Sequence, residues 1–145
     1  MALRNSSFHL LFLCILAATT RASDAGGMPQ LQAFDCSTAD NYTATDAYAA
    51  NLKQLLAALP TNTVSKNGGF FNGRVGQGAA TVYGLALCSV DFSRSDCKDC
   101  LTTASSSSGG LLKICPGSVN VSAILDQCLL RYSNRNFFRT AQTGM

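Results

Sequence analysis

Two cysteines in a CxxC arrangement, Cys97 and Cys100, follow a third, Cys88, in the stretch CSVDFSRSDCKDC. Cysteines at this spacing support three kinds of chemistry. They ligate zinc as half of a four-ligand site, they act as a redox dithiol when one thiol has a lowered pKa, or they form disulfides that cross-link the chain. Which of the three chemistries applies depends on whether further metal ligands are present, on which helix face carries the cysteines, and on the cellular compartment.

A zinc site needs ligands that the sequence does not supply. Structural zinc usually takes a second CxxC or a pair of histidines, but the chain has one histidine, His9, near its N-terminus. The remaining cysteines stand alone, at Cys36, Cys115 and Cys128. We therefore expect no metal, no cofactor, and no Ser-His or Cys-His pair for nucleophilic catalysis.

A redox function for the CxxC pair has one argument in its favour. Cys97 is predicted in the first turn of a helix, where the helix dipole lowers the pKa of a thiol. However, Cys97, Cys100, Leu101 and Ala104 share one helix face, which turns both cysteines toward the core. A buried pair favours cross-linking over redox turnover, and thiol oxidoreductase activity is retained as a minor alternative.

Carboxylates offer a further possible chemistry. Asp91, Asp96 and Asp99 cluster near the CxxC motif, and two carboxylates can cleave glycosides. Asp96 lies three residues after Ser93, which is the spacing of a helix N-cap pair. We interpret Asp96 as a capping residue and Asp99 as solvated, and we expect no enzyme activity.

The N-terminal segment predicts the compartment. Residues 1–22 open with one basic residue, Arg4, which is followed by an apolar run over 10–18 and by small residues ending at Ala22, and this order is typical of a secretory signal peptide. Its removal would take away Cys14 and His9, leaving six cysteines in a secreted chain and favouring disulfides. The formal net charge of +3 would also fall, so we expect no nucleic-acid partner and no membrane insertion.

Helical patterning is clearest in two places. Apolar residues at helical spacing predict a helix over 45–60, with Thr45 or Asp46 as N-cap and Pro60 as terminator. The cap at Ser93 predicts a second helix, which ends before the Ser/Gly run at 105–110.

The remaining elements are predicted as strands. A short strand is expected within 67–78 and a longer one over 80–90, with a bulge at Gly84. Further strand candidates are LLKICP, VNVSAILDQ and CLLRYSNRNFF. Residues 23–34 are interpreted as a flexible lead-in and 139–145 as a tail. The pattern predicts an α+β domain with one antiparallel sheet and two helices.

The cysteine framework resembles a known family. CSVDFSRSDCKDCL is similar to the CxxxxxxxxCxxC signature of the plant ginkbilobin-type cysteine-rich secretory repeat family, and the likeness extends over residues 35–138. The resemblance implies a five-stranded antiparallel sheet with two helices. It also implies three disulfides, which join Cys36 to Cys115, Cys88 to Cys97, and Cys100 to Cys128.

The resemblance also implies where a ligand would bind. Single-domain members bind mannose through an Asn, an Arg and a Glu, and the matching positions here carry Ser37, Ser122 and Ser133. Serine lacks the reach and charge of Arg or Glu, whose hydrogen bonds to sugar hydroxyls are charge-assisted. Two sequons, at Asn41 and Asn120, are candidates for N-glycosylation.

Together these observations predict a secreted, non-enzymatic recognition module acting in plant defence or stress responses in the apoplast. The expected partner is a cell-wall carbohydrate or an apoplastic or cell-surface protein. The alternative is a mannose-binding antifungal protein. The sequence leaves the oligomeric state open.

Overall fold

The computed structural model describes residues 29–65 and 67–139. Five strands form one antiparallel sheet in the order β1-β4-β5-β3-β2. The strands are β1 (Leu31–Cys36), β2 (Phe70–Val75), β3 (Val82–Cys88), β4 (Asn120–Leu125) and β5 (Cys128–Ser133), and the helices are α1 (Ala47–Ser65), α2 (Arg94–Ala104) and the single-turn α3 (Leu111–Ile114). The α+β class and the five-stranded sheet with two long helices are thus confirmed. The predicted signal peptide and residues 140–145 of the tail lie outside the described residues.

Alternation along the strands separates the two faces of the sheet. On β3, β4 and β5 every second residue is buried under the helices, among them Ala86, Ala123 and Leu130, each fully buried. The residues between them lie on the opposite face, which we call the outer face. Cross-strand pairs such as Ser122 with Arg131 lie on this outer face and are half-buried.

Helix α1 covers the sheet with the apolar stripe predicted from its spacing, which includes Leu52, Leu55 and Leu59. Pro60 does not end the helix, contrary to the expectation, since α1 continues to Ser65. Pro60 and Thr63 are both buried, and the Thr63 hydroxyl donates to the Leu59 carbonyl at 2.7 Å. Burial of this last turn outweighs the hydrogen bond that proline cannot make.

The predicted strand bulge at Gly84 is absent, because the register with β2 and β5 is regular through that residue. A Cβ atom at Gly84 would lie 2.6 Å from a methyl carbon of Leu55. Glycine is therefore required for the close approach of α1 to β3.

Two further expectations were wrong. Residues 31–34 do not belong to a flexible lead-in, because they form most of β1 and pair with β4. The segment LLKI is a single helical turn and not a strand. A short apolar run of this kind fits a buried strand and a helical turn equally well.

Tyrosine side chains fill the core between α1 and the sheet. The Tyr48 hydroxyl donates to the Val119 carbonyl at 2.8 Å, whereas the buried Tyr132 hydroxyl has no hydrogen-bond partner among the described residues. Tyr42 packs against Tyr48 with ring centroids 5.3 Å apart. Burial, followed by the neighbouring tyrosines, raises the pKa of Tyr48 and of Tyr132.

Candidate functional site

The sulfur atoms are engaged in three disulfides, which join Cys36 to Cys115, Cys88 to Cys97 and Cys100 to Cys128. This is the pairing that the family resemblance implies. The first bond ties β1 to the end of α3, the second closes the corner between β3 and α2, and the third ties α2 to β5. The two CxxC cysteines are bonded to different partners and are fully buried. The arrangement leaves no dithiol in the CxxC motif.

The aspartate near the CxxC motif has a structural role. The Ser93 hydroxyl accepts from the Asp96 backbone N–H at 3.2 Å, and the Asp96 carboxylate accepts from the Ser93 N–H at 3.1 Å. This reciprocal capping box satisfies backbone groups at the start of α2. The interpretation of Asp96 as a capping residue is therefore confirmed, and Asp91 and Asp99 are exposed.

A polar cavity lies at the end of the sheet where β1 and β5 end and β4 begins. It has a volume of about 220 Å³. Three chain segments line it, contributing Ser37, Ala39, Asp40, Val119, Asn120, Ser133, Asn134 and Arg135. We call it the polar cavity.

Backbone hydrogen bonds hold the segments that line the polar cavity together. The Ser37 N–H donates to the Asn120 carbonyl at 2.9 Å. The Ser118 hydroxyl lies within hydrogen-bond distance of the Ser37 and Asn120 carbonyls, at 2.8 and 3.0 Å. The Asn134 N–H donates to the Val119 carbonyl at 3.1 Å. These bonds hold the cavity in shape without a ligand.

The structure brings together two of the three serines at the family's ligand positions. Ser37 and Ser133 line the polar cavity, but Ser122 does not. Ser122 lies farther along β4, between Asp35 of β1 and Arg131 of β5. The hydroxyl of Ser133 is buried and accepts from the Arg135 N–H at 3.1 Å. The three serines therefore do not form one site.

The side chains best suited to hold a polar ligand were not among the sequence candidates. Asp40 and Arg135 are exposed, carry opposite charges and line the same cavity, and Asn134 lies between Ser133 and Arg135. They come from loops almost a hundred residues apart in sequence, so spacing gave no indication of their proximity. Together they offer donors and acceptors for a ligand rich in hydroxyl groups.

The two sequons lie at the same end of the sheet. Asn120 is the first residue of β4, is half-buried and lines the polar cavity. Asn41 follows Asp40 directly, is exposed, and bridges to Ser118. Both residues remain predicted modification sites.

A second surface, apolar, lies at the opposite end of the sheet. Phe70 and Leu87 are cross-strand neighbours and are 42% and 40% exposed. Val90 and Phe92, in the loop after β3, are 96% and 40% exposed. We call these four residues the apolar corner. Exposed aromatic and aliphatic side chains of this kind are common at protein-binding surfaces.

The C-terminal segment packs on the outer face. The guanidinium carbon of Arg131 lies 4.1 Å from the ring centroid of Phe137. Phe137 contacts Phe138, which packs edge-on against Tyr83 of β3 with centroids 5.8 Å apart. Cation–π and aromatic contacts therefore hold this segment against the sheet.

Neither a metal site nor a membrane span is found in the described part of the chain. No cluster of three or more His, Cys, Asp or Glu residues suited to a metal occurs among residues 29–65 and 67–139. Within the same ranges, no helix has the length and apolar character needed to cross a bilayer.

The fold and its cross-links define a disulfide-stabilised α+β domain. The sequence model of the salt stress response/antifungal family matches residues 35–135. The chain therefore belongs to this family, which confirms the ginkbilobin-type resemblance.

Relatives place the domain in secretory and receptor-like proteins. Cysteine-rich receptor-like protein kinase 7 of Arabidopsis thaliana is 33% identical over 140 residues, covering 97% of this chain and 21% of the relative. An antimicrobial ginkbilobin-2-like protein of Castanea crenata is 40% identical over 103 residues, covering 71% of this chain and 41% of the relative. The chain thus spans less than half the length of these relatives.

A solved structure shares the fold. The tandem DUF26 ectodomain of the Arabidopsis thaliana cysteine-rich receptor-like protein PDLP8 superposes with a TM-score of 0.65 at 29% identity. The match covers 74% of this chain and 50% of that one. The fold seen here thus corresponds to about half of a tandem extracellular region.

Proposed function

We propose that this chain is a secreted, non-enzymatic recognition domain that binds an apoplastic or cell-surface protein, or a cell-wall carbohydrate, in plant defence or stress responses. The observation that carries the proposal is the engagement of all six described cysteines in cross-links that hold the polar cavity and the apolar corner on one domain. Cross-linked sulfur cannot act as a nucleophile. Ectodomain and secretory names among the relatives support an extracellular role.

The apolar corner and the polar cavity suit different partners. Val90 and Phe92 of the apolar corner are exposed and line a shallow depression of about 280 Å³, which suits an apolar protein surface. The polar cavity combines an acid, a base and amide groups, which suits a carbohydrate. Binding of a protein partner is the first candidate because Val90, at 96% exposed, and Phe92, at 40% exposed, present apolar side chains beside this depression.

Affinity capture with two surface variants tests this proposal. The chain is made in a eukaryotic secretory host, its disulfides are mapped, and it is incubated with plant surface proteins and with cell-wall material. We expect Val90→Ser with Phe92→Ser to lose protein partners and Asp40→Ala with Arg135→Ala to lose carbohydrate. Lys98→Ala with Asp99→Ala, on the exposed face of α2, is the matched control because it also removes one acid and one base.

The capture experiment can overturn the proposal directly. Failure of the unmodified chain to retain any surface protein or cell-wall material would contradict recognition as its function. Retention that survives both double substitutions would show that neither surface is the binding site.

Mannose binding with antifungal activity is the second candidate. It is favoured by the meeting of Ser37 and Ser133 in one polar cavity and by the antimicrobial name of a 40% identical relative. Isothermal titration with mannose and mannan distinguishes it, because a flat trace at millimolar sugar removes this candidate. Titration of free thiols in the secreted protein tests the remaining alternative, a thiol oxidoreductase, which requires a reduced CxxC pair.

A further inference from the structure

The two sequons differ in their relation to the polar cavity. Asn120 is one of the residues that line the cavity, whereas Asn41 is adjacent in sequence to the lining residue Asp40 and does not line the cavity itself. The Asn120 carbonyl is held by Ser37 and Ser118, but its side-chain amide has no hydrogen-bond partner within the described residues. The amide nitrogen that would carry a sugar is therefore free of competing bonds inside the cavity.

The geometry of β4 presents the acceptor Asn120 and the hydroxyl residue Ser122 of the sequon on one face. Asn120 and Ser122 are two residues apart in a strand, so both side chains lie on the outer face of the sheet. Helices α1 and α2 pack on the other face. A sugar attached to Asn120 is therefore compatible with the folded domain and begins within the cavity.

We propose that N-glycosylation of Asn120 places the first sugars of the glycan in the polar cavity and closes it to external ligands. In the modification, the Asn120 Nδ2 forms a bond to the anomeric carbon of a lipid-linked oligosaccharide donor. The bond from that carbon to the lipid diphosphate breaks, and Nδ2 loses a proton. Occupancy of this sequon then sets whether the cavity is open.

Tethering explains why the attached sugar prevails over a free one. A group linked by a short connection reaches an effective concentration in the millimolar range, so contacts with a dissociation constant below about a millimolar keep it in the cavity. Asp40, Arg135 and Asn134 surround the attachment point with acceptors and donors for sugar hydroxyls. A dissolved sugar of similar affinity would have to displace a sugar that stays covalently attached beside the cavity.

This inference rests on the proposed function only for its biological consequence, which is control of ligand binding. It is tested on four chains secreted from a eukaryotic host: the unmodified sequence, Ser122→Ala, Ser122→Thr and Asn41→Gln. Ser122→Ala removes the sequon while keeping Asn120, and Ser122→Thr alters the same residue while keeping the sequon. Asn41→Gln removes only the neighbouring sequon.

Peptide mass spectrometry measures occupancy, and hydrogen–deuterium exchange measures protection of segments 37–40 and 133–136. We expect the unmodified chain, Ser122→Thr and Asn41→Gln to carry a glycan on Asn120 and to exchange several-fold more slowly in both segments than Ser122→Ala. An empty Asn120, or an occupied Asn120 with unchanged exchange, would overturn the proposal. Titration of the same samples with mannan is read separately, because its result bears on carbohydrate binding and not on the position of the glycan.

Discussion

Removing the disulfides one pair at a time should lower the free energy of unfolding in a fixed order. The chain-entropy treatment relates the stabilisation to the length of the closed loop. The sequence separations are 79 residues for Cys36 to Cys115, 28 for Cys100 to Cys128 and 9 for Cys88 to Cys97. At 25 °C these lengths correspond to about 4.5, 3.6 and 2.6 kcal/mol respectively.

Each loss is large compared with the stability of an ordinary domain, about 5–15 kcal/mol. Replacing both cysteines of a pair with alanine avoids a free thiol and adds no buried polar group. We therefore expect the variant without the Cys36 to Cys115 bond to be the least stable of the three. Loss of the Cys88 to Cys97 bond should leave a folded domain.

Guanidinium unfolding followed by far-UV circular dichroism provides the measurement, because the chain contains no tryptophan for fluorescence. Each variant is compared with the unmodified chain under oxidising conditions after its two remaining bonds have been confirmed by peptide mapping. Equal losses for the three pairs, or the largest loss for the shortest loop, would refute the loop-entropy reasoning. In that case, packing around the sulfur atoms would set the order.

Four single substitutions test individual contacts. Tyr132→Phe removes a buried hydroxyl that has no partner in the described chain, so it should raise the unfolding free energy by about 1 kcal/mol. Tyr48→Phe removes a hydroxyl that donates a hydrogen bond, so it should lower the unfolding free energy by about 1 kcal/mol. Equal destabilisation of the two in chemical denaturation would contradict this. Gly84→Ala places a methyl group against Leu55 of α1 and should lower the unfolding free energy by about 1–3 kcal/mol in the same assay. An unchanged unfolding free energy would show that α1 shifts to make room for the methyl group. The Thr43 N–H and hydroxyl donate to the Asp46 carboxylate and hold its pKa below the ordinary value of 3.8. These bonds therefore stabilise the folded state fully above that pH, and the stabilisation is lost as the pH falls through the pKa of Asp46 in the folded protein. At pH 7, Asp46→Asn should therefore unfold at a lower denaturant concentration than the unmodified chain, and at strongly acid pH the two should unfold at the same concentration. A difference between their unfolding midpoints that persists in acid would contradict this role of the Asp46 carboxylate.

Local signals in the sequence were sufficient to predict the elements that carry their own pattern. The leucine spacing of α1 and the capping pair at Ser93 and Asp96 are each contained within a few residues. Strand β1 could not be recognised in this way, because its four central residues are exposed and it is ordered by pairing with β4, almost ninety residues later. The end of α1 was misplaced because burial of its last turn acts against the local preference of Pro60.

The polar cavity shows the same division between local and long-range information. Ser37 and Ser133 could be singled out because the family resemblance assigned positions to them. Asp40 and Arg135 meet only because β1 and β5 both end beside the start of β4. A single sequence contains no local signal that Asp40 and Arg135 lie close together. The pairing of the cysteines likewise came from the resemblance, since six cysteines permit about 15 arrangements.

The loop at 105–109 lies between two cross-links, which has a practical consequence for proteolysis. This Ser-rich loop follows α2, and Ser107, Ser108 and Gly109 are exposed to attack by an endopeptidase. Cleavage there would yield two fragments that remain covalently joined, because the bonds from Cys36 to Cys115 and from Cys100 to Cys128 both span the cut. A clipped molecule would run as one band on a gel without reductant and as two bands with it. The domain can thus be cut in this loop while the residues of the polar cavity and of the apolar corner stay covalently joined in one molecule.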